Sequence, residues 1–414
     1  MRRAVTALAC GALGAVLAVT PAISATRSTT TAPSQSELAR ARTTTAKALA
    51  QAHGQAGLVV LLDDGTPLID EAGGTALPPA STTKLFSVGT ALLTLGPTHR
   101  FTTRVARTGP VAGGVLTGDL VLVGGGDPTL ARSDLARLAA AVRRAGIQHV
   151  TGVLRIDTHV FDTIRGAPGW RSYYVGYESG PLSALMVDDN LWRSEHAYRV
   201  NPDGGNLALF RGLLKQQGVT VARGNSTHAP TGPYAGTVAA HRSSTLGTIA
   251  ARVLRSSNNT EAETLLKDTA LTAATQGSTA GGLAVVRAQA AKLAVPAPTS
   301  IYDGSGLSTK DYLPTRTVAA WLNATQATAI GGVLRAALPL ACVNGTLKHR
   351  LCGAATAGKI AAKTGSLDYP AALAGFASTR AGRVVIFSVV VNGPGEYYCA
   401  KALDAAVTAL VTGL

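Results

Sequence analysis

The positions of apolar residues divide the chain into three stretches of different periodicity. In the first, an alanine-rich helical pattern over residues 36–53 precedes an apolar strand over residues 57–62 and a partner strand over residues 66–70, which an Asp-Gly turn separates. Apolar residues then recur at helical spacing over residues 85–93. This stretch therefore predicts a helix, a β-hairpin and a second, buried helix.

The middle stretch, residues 97–245, alternates short strand-like runs with glycine-rich turns. An apolar run over residues 115–123 leads into three consecutive glycines at 124–126, and a single helical pattern covers residues 130–145. Short strands mixed with a helix are typical of an α/β module. We therefore predict an inserted domain over residues 97–245.

The last stretch begins with helical patterns, continues with strands and ends with a helix. Apolar spacing predicts helices over residues 246–255, from 260 onward, and over 281–293, 316–327 and 400–410, and strands over residues 359–364, 371–377 and 383–391. Helices before and after an antiparallel sheet indicate an α+β fold. We expect its core to consist of residues 26–96 and 246–414, interrupted by the insertion.

The N-terminus has the layout of a secretory signal peptide. Arg2 and Arg3 precede an apolar run over residues 4–19, and small residues follow at Ser24 and Ala25. A membrane anchor is the alternative, but the apolar run is short for a membrane span. We therefore predict a signal over residues 1–25 and an exported protein, extracytoplasmic and either secreted or associated with the cell wall.

Composition and charge narrow the class of protein further. A chain of 414 residues with 46% hydrophobic content is long and apolar enough to bury a substantial core. The formal net charge of +15 favours anionic partners, and for an exported protein these are wall polymers or a membrane surface rather than nucleic acid. An ordinary basic surface explains the same charge equally well.

Three cysteines remain after the predicted signal, in a compartment where disulfides persist. Cys342 and Cys352 flank a short segment and are able to close a small loop, which would leave Cys399 free or competing for a partner. Their spacing does not resemble a metal site.

A candidate nucleophile and base lie at the start of the helix predicted after residue 80. Ser81 and Lys84 are three residues apart, so their side chains share one helix face. Serine is a weak nucleophile until a neighbouring base takes its proton, and lysine serves as that base only where burial or another positive charge lowers its pKa. By itself the pair also fits an ordinary helix surface.

The triplet Ser257-Asn258-Asn259 is the second candidate segment. It lies between an amphipathic helix and the next helical pattern. Serine and asparagine are also preferred helix caps, which is the alternative interpretation.

The third candidate segment is Lys363-Thr364-Gly365-Ser366. It ends an apolar strand, and its glycine lets another backbone come close. A lysine on an edge strand before a turn is the alternative.

Together, these segments match the Ser-x-x-Lys, Ser-Asp-Asn and Lys-Thr-Gly set of class A β-lactamases and penicillin-binding proteins, with Asn258 in place of the aspartate. The chain resembles the low-molecular-mass class C penicillin-binding proteins, the D-alanyl-D-alanine carboxypeptidase/endopeptidases. The resemblance covers nearly the whole chain after the signal. It extends to residues 118–120, 124–128, 181–185, 189–190, 303–308 and 344–347.

This resemblance implies a transpeptidase-like fold with an inserted domain and a serine DD-peptidase that needs no metal or cofactor. Its substrates would be peptidoglycan stem peptides, and β-lactam antibiotics would be its covalent inhibitors. The implied roles are nucleophile for Ser81, base for Lys84, proton relay for Ser257 and Lys363, orientation of the substrate amide for Asn259, carboxylate binding for Thr364 beside Gly365, and an oxyanion hole formed by the N–H groups of Ser81 and Ser366.

One departure from the family pattern concerns substrate preference. After Trp170 the chain reads Arg171-Ser172-Tyr173-Tyr174, without the acidic residue that the resemblance leads us to expect for the free amine of a diamino acid.

Two other functions also remain open: a β-lactamase or esterase on the same scaffold, and a non-catalytic peptidoglycan-binding protein. The complete motif set argues against the non-catalytic alternative.

Overall fold

The computed structural model describes residues 31–192, 197–198 and 201–414, so the predicted signal peptide lies outside the described residues. The helices in these ranges are α1 (Gln35–Ala50), α2 (Lys84–Leu95), α3 (Arg132–Arg144), α4 (Pro202–Gln216), α5 (Leu246–Ser256), α6 (Asn259–Ala270), α7 (Thr279–Lys292), α8 (Thr315–Gln326), α9 (Gly331–Ala337) and α10 (Glu396–Gly413). Within the same ranges, no helix combines the length and the apolar character needed to cross a membrane.

The strands form two groups that are separate in the sequence. Those outside residues 97–245 are β1 (Gln55–Leu62), β2 (Pro67–Glu71), β3 (Ala76–Leu77), β15 (Leu313–Pro314), β16 (Ile360–Ser366), β17 (Pro370–Ser378) and β18 (Val384–Asn392). Those inside it are β4 (Thr102–Arg107), β5 (Val111–Ala112), β6 (Val115–Leu116), β7 (Leu120–Val123), β8 (His149–Val150), β9 (Leu154–Asp157), β10 (Leu191–Trp192), β11 (Ala197–Tyr198), β12 (Thr220–Val221), β13 (Asn225–Ser226) and β14 (Gly236–Arg242).

The first group forms a five-stranded antiparallel sheet in the order β16-β17-β18-β1-β2. Strands β17 and β18 are buried along most of their length, because helices cover both faces of the sheet. Successive strand residues point to opposite faces, so Phe387 packs with α1 and α10 while Ile386 packs with the other helices. This is the predicted α+β arrangement, with strand β16 at the edge of the sheet.

The second group forms a mixed sheet in the order β13-β9-β7-β4-β14 and a smaller sheet in the order β12-β8-β6-β5. Helices α3 and α4 pack on them around a shared apolar core that includes Leu122, Leu138, Leu154 and Phe210. Parallel pairing of β7 with β9 is what the α/β pattern of this stretch predicts.

The prediction of a single helix between residues 97 and 245 is wrong, because α4 is a second one. Its apolar residues Leu207, Phe210 and Leu214 recur at helical spacing and are fully buried. Two consecutive glycines in its first turn weaken the local helix signal, and packing against the sheet compensates for them. The short helix α9 was not predicted either.

Candidate active site

Ser81 lies in a 3-10 turn, Ala80–Thr83, that leads directly into α2. The sequence predicts a serine in the first turn of the helix, and the structure places it one turn earlier. Residues three apart eclipse each other in a 3-10 turn, so Ser81 faces Lys84 directly. The turn is held by the N–H and hydroxyl of Thr82, which both donate to the carbonyl of Pro79.

The Lys84 side chain is fully buried and its amine has three polar neighbours. Nζ lies 2.9 Å from Ser81 Oγ, 2.7 Å from Asn259 Oδ1 and 2.7 Å from the carbonyl oxygen of Ser305. A neutral amine has two N–H groups and one lone pair. The protonated amine donates to all three neighbours, whereas the neutral amine donates to the amide and carbonyl oxygens and offers its lone pair to the Ser81 hydroxyl.

Burial lowers the pKa of Lys84 to about 8, against the opposing negative charges of Asp303 and Glu263. A lysine with this pKa is partly neutral near neutral pH, which is what a general base requires. The structure therefore gives Lys84 the position and the basicity that the sequence interpretation needs.

The loop at residues 303–308 supplies the carbonyl that fixes Lys84. The fully buried carboxyl of Glu263 accepts the N–H groups of Gly304 and Ser305 at 2.9 and 2.8 Å. Asp303, also fully buried, accepts the N–H groups of Gly306 and Ser308. Burial, and then the charge of Asp303, raise the pKa of Glu263 to about 8. Sequence analysis missed Glu263 as a site residue.

Ser257 occupies the turn between α5 and α6 with φ of 57° and ψ of 33°, the left-handed region that non-glycine residues seldom adopt. Its hydroxyl lies 2.9 Å from Nζ of Lys363, which also donates to the carbonyl of Thr364 at 2.6 Å. Burial, and then the charge of Lys84, lower the pKa of Lys363 well below its ordinary value. A second serine–amine pair thus lies beside the first.

The other two residues of the Ser257 triplet have different partners. Asn258 caps α6, because its Oδ1 accepts the N–H of Glu261 at 2.9 Å, so the helix-cap interpretation is correct for this residue. Asn259 uses its amide oxygen for Lys84 and donates from Nδ2 to the carbonyl of Glu178. The structure therefore shows Asn259 in contact with the amine of Lys84, the candidate base.

Gly365 brings strand β16 against the turn that carries Ser81. A Cβ atom at Gly365 would lie 2.9 Å from the carbonyl oxygen of Pro79 and 3.0 Å from the backbone nitrogen of Ser81. The close backbone approach predicted for this glycine is therefore present. On the same strand, Thr364 Oγ1 lies 2.7 Å from Thr346 Oγ1.

A cleft of about 330 Å³ opens over these groups. Ser81, Ser257, Asn259, Thr364 and Ser366 line it, and Lys84, Lys363 and Gly365 lie directly behind. The structure therefore brings all eight predicted site residues together. Further lining residues, which were not predicted as site residues, are Tyr173, Tyr174, Glu178, Leu307, Thr346, Leu367, Asp368 and Glu396.

The cleft contains carboxylates although the segment after Trp170 has none. Glu178, Asp368 and Glu396 come from three different segments, and Asp368 pairs with Arg171 at 2.9 Å. Among these further lining residues, Leu307 and Thr346 carried a sequence signal, since each lies in one of the segments that support the family resemblance. The three carboxylates lie far apart in sequence, so only the folded structure shows that they line the same cleft.

The cysteine pairing left open by the sequence is resolved by a disulfide between Cys342 and Cys352, with Cys399 as a buried free thiol among the described residues. The disulfide closes the loop that carries Thr346. In the described ranges, no three His, Cys, Asp or Glu side chains are grouped so that they could hold a metal ion.

Comparison with known proteins identifies relatives over most of the chain. The model of the D-Ala-D-Ala carboxypeptidase 3 (S13) family matches residues 41–202 and 198–412. Carboxypeptidase DacB of Mycolicibacterium smegmatis is 30% identical over 360 residues, which cover 82% of this chain and 76% of that protein. The D-alanyl-D-alanine carboxypeptidase of an Actinomadura species is 30% identical over 417 residues, with 81% and 77% covered.

The fold has a solved counterpart. The crystal structure of penicillin binding protein 4 (dacB) from Haemophilus influenzae superposes with a TM-score of 0.81 at 22% identity and covers 88% of this chain and 98% of that one. A second structure of that protein, complexed with a β-lactam, has a TM-score of 0.72 at 24% identity, with 88% and 97% covered. The predicted fold class is thereby confirmed.

Proposed function

The chain belongs to the D-Ala-D-Ala carboxypeptidase 3 (S13) family, and we propose that it cleaves peptidoglycan stem peptides through an acyl-enzyme at Ser81. Family membership makes it a serine-type D-Ala-D-Ala carboxypeptidase. The observation that supports Ser81 as the nucleophile is the buried Lys84 amine, whose Nζ lies 2.9 Å from Ser81 Oγ and is held there by the oxygens of Asn259 and Ser305.

In the acylation step, Ser81 Oγ attacks the carbonyl carbon of the penultimate D-alanine and Lys84 takes the hydroxyl proton. The carbonyl oxygen becomes negative as the tetrahedral intermediate forms. The backbone N–H groups of Ser81 and Ser366 are the proposed donors to that oxygen, because Gly365 draws strand β16 up to the Ser81 turn.

Collapse of the intermediate breaks the peptide bond, and the leaving nitrogen needs a proton. We assign its delivery to the Ser257 hydroxyl, which regains a proton from Lys363 at 2.9 Å. In deacylation, water attacks the ester carbonyl and its proton returns to Lys363 through Ser257, while Lys84 gives the proton that it accepted back to Ser81 Oγ as the ester bond breaks. Protons therefore balance without any other reactant.

Thr364, beside Thr346 and in front of Lys363, is the proposed site for the terminal carboxylate of the substrate. Endopeptidase action on D-alanine cross-links uses the same chemistry with a longer leaving group. The carboxylates Glu178 and Glu396 favour a stem peptide that carries a free amine. Cleavage rates of two otherwise identical peptides, one with lysine and one with glutamine at the diamino-acid position, would test this preference.

Export, and attraction to an anionic wall polymer or a membrane surface, are also part of the proposal. They are supported by the signal-like N-terminus and by the net charge of +15.

Reaction with a labelled penicillin tests the proposed nucleophile. We expect one adduct on the wild-type protein by intact mass and none on Ser81→Ala, with release of D-alanine from a D-Ala-D-Ala peptide lost in parallel. An unlabelled wild type, or a labelled S81A protein, would contradict the proposal. Fast turnover of the penicillin would instead favour a β-lactamase.

A further inference from the structure

A second cleft, of about 440 Å³, lies at the junction between residues 97–245 and helix α5. Four arginines from different segments line it. Arg100 precedes β4, Arg137 lies in α3, Arg242 ends β14 and Arg252 lies in α5. All four side chains are exposed to solvent. The fold thus gathers positive charge from distant parts of the sequence into one concave surface.

Carboxyl groups contact only two of these four arginines. Arg137 pairs with Asp134, and Arg252 pairs with Glu261 at 2.6 Å. In the part of the chain that the structure describes, neither Arg100 nor Arg242 has a carboxylate partner. Arg100 instead donates to the carbonyl of Ser243 at 2.6 Å. The cleft therefore carries excess positive charge.

Like charges held in one concavity repel each other, and a bound anion relieves that repulsion. The guanidinium group is the side chain best matched to phosphate, because its planar fork donates two parallel hydrogen bonds. From this geometry we propose that the cleft binds the phosphodiester groups of a linear anionic polymer of the cell wall.

The shape and lining of the cleft favour a polymer chain over a lipid surface. Surface binding to lipid combines basic residues with exposed apolar side chains that enter the bilayer. Of the residues that line this cleft, the aliphatic Ile249 is buried and the exposed ones are polar or charged. A concave, polar groove accommodates a chain and offers no apolar anchor.

The position of the cleft makes this binding independent of the reaction at Ser81. Ser257 directly follows α5, and the lining residues Arg252 and Ile249 lie about 7.5 and about 12 Å from it along the helix axis at 1.5 Å per residue. A polymer in the arginine cleft and a stem peptide at Ser81 occupy different surfaces. Polymer binding is therefore expected to leave the cleavage of a short soluble peptide unchanged.

The test compares the wild type with two double variants of equal net charge. Arg100→Gln/Arg242→Gln removes the two arginines that lack a carboxylate partner, and Arg40→Gln/Arg144→Gln removes two exposed arginines outside the cleft. Binding of fluorescent poly(glycerol phosphate) is measured by anisotropy at low and physiological ionic strength. We expect the cleft variant to bind about tenfold more weakly, equivalent to about 1.4 kcal/mol, and the control variant to bind like the wild type.

Two further arms separate the possible sources of phosphate. Competition by inorganic phosphate supports recognition of the phosphate group itself. A different outcome is that the protein sediments with phosphatidylglycerol vesicles in a way that requires Arg100 and Arg242, while it fails to bind the polymer. That result would contradict a polymer ligand and identify lipid as the source of phosphate. If both double variants bound the polymer equally weakly, binding at the cleft would be contradicted, because net charge alone would then explain it. Penicillin labelling of each variant reports separately on folding and on the reaction at Ser81.

Discussion

At the scale of single residues, the proposed role of Lys84 as base predicts how the activity depends on pH. Its pKa is about 8, lowered by burial, and only the neutral amine accepts the proton of Ser81. We expect the second-order rate of acylation by penicillin to rise about tenfold per pH unit from about pH 6 and to level off near the pKa of Lys84. Stopped-flow acylation across this range measures it. A rate independent of pH would show that Lys84 is not the base.

Glu263 is a positioning residue for the same amine. Glu263→Gln keeps an oxygen for the N–H groups of Gly304 and Ser305 but carries no charge. Ionised Glu263 favours protonated Lys84, and with a pKa of about 8 it is partly ionised only where the rate levels off. The variant should therefore move the upper part of the rising limb to lower pH and leave the rate near pH 6 unchanged.

Glu263→Ala serves as the contrast, since it leaves both amide groups without an acceptor. We expect acylation about tenfold slower than in E263Q at every pH, because the carbonyl of Ser305 then loses its fixed position. If E263Q had the wild-type profile, the charge of Glu263 would be irrelevant to Lys84. If E263A acylated as fast as E263Q, Glu263 would not position the loop.

Residue types and order predicted which motif residues meet in the cleft, but not the groups that hold them. Ser81, Lys84, Ser257 and Lys363 were identified because each belongs to a motif. Glu263 has no such signal, since it lies among other polar residues of α6 and is recognised only when the loop at 303–308 packs against it. Long-range packing therefore decides which buried carboxyl becomes part of the site.

At the scale of elements, the contact between strand β16 and the Ser81 turn sets the width of the proposed oxyanion hole. Gly365→Ala places a Cβ 2.9 Å from the carbonyl oxygen of Pro79, so strand and turn must separate by a few tenths of an ångström. We expect acylation to slow at least about tenfold, because donors to the oxyanion are effective only at hydrogen-bond distance. Acylation rates and urea unfolding are measured together.

Gly332→Ala is the matched control, since a Cβ at Gly332 in α9 meets no atom within 4 Å. It should leave acylation unchanged and raise the free energy of unfolding by about 0.5–1 kcal/mol, because alanine is the better helix former. If G365A acylated at the wild-type rate, the close approach would have no part in catalysis.

Elements with strong periodicity were predictable, and those stabilised mainly by their neighbours were not. The strands β16, β17 and β18 follow apolar or alternating runs and appear within a few residues of their predicted bounds. Helix α4 begins with proline, aspartate and two glycines, and its buried face is defined by the sheet on which it packs. Local sequence therefore understated the helical content of the middle stretch.

At the scale of the whole molecule, the two ends of the described chain are joined by one side chain. Arg383 donates to the carbonyl of Thr31 at 2.8 Å, pairs with Glu37 and hydrogen bonds to the carbonyl of Leu414. Helices α1 and α10 also share an apolar core with the central sheet, on which they pack side by side. The α+β class follows from the order of helices and strands, whereas this contact between distant residues had no local signal.

Several buried carboxyls make the stability of the whole molecule depend on pH. Burial, and then the charge of Asp303, raise the pKa of Asp311 to about 11, and burial raises the pKa of Asp268 well above its ordinary value. Native Asp311 keeps a proton that the unfolded chain loses near pH 4. Its contribution to stability is therefore full below about pH 4 and is lost as the pH rises toward 11.

Asp311→Asn tests this contribution, because the amide resembles the protonated carboxyl and its oxygen still accepts the N–H of Tyr302. At about pH 4 the variant and the wild type should unfold at similar urea concentrations, and the advantage of D311N should grow steadily toward about pH 9. Comparing the two proteins at each pH cancels the opposite effect of Lys84 and Lys363. The exposed Glu71, changed to glutamine, should give no such divergence. Parallel curves for D311N and the wild type would mean that native Asp311 is ionised, so its burial would need a compensating charge.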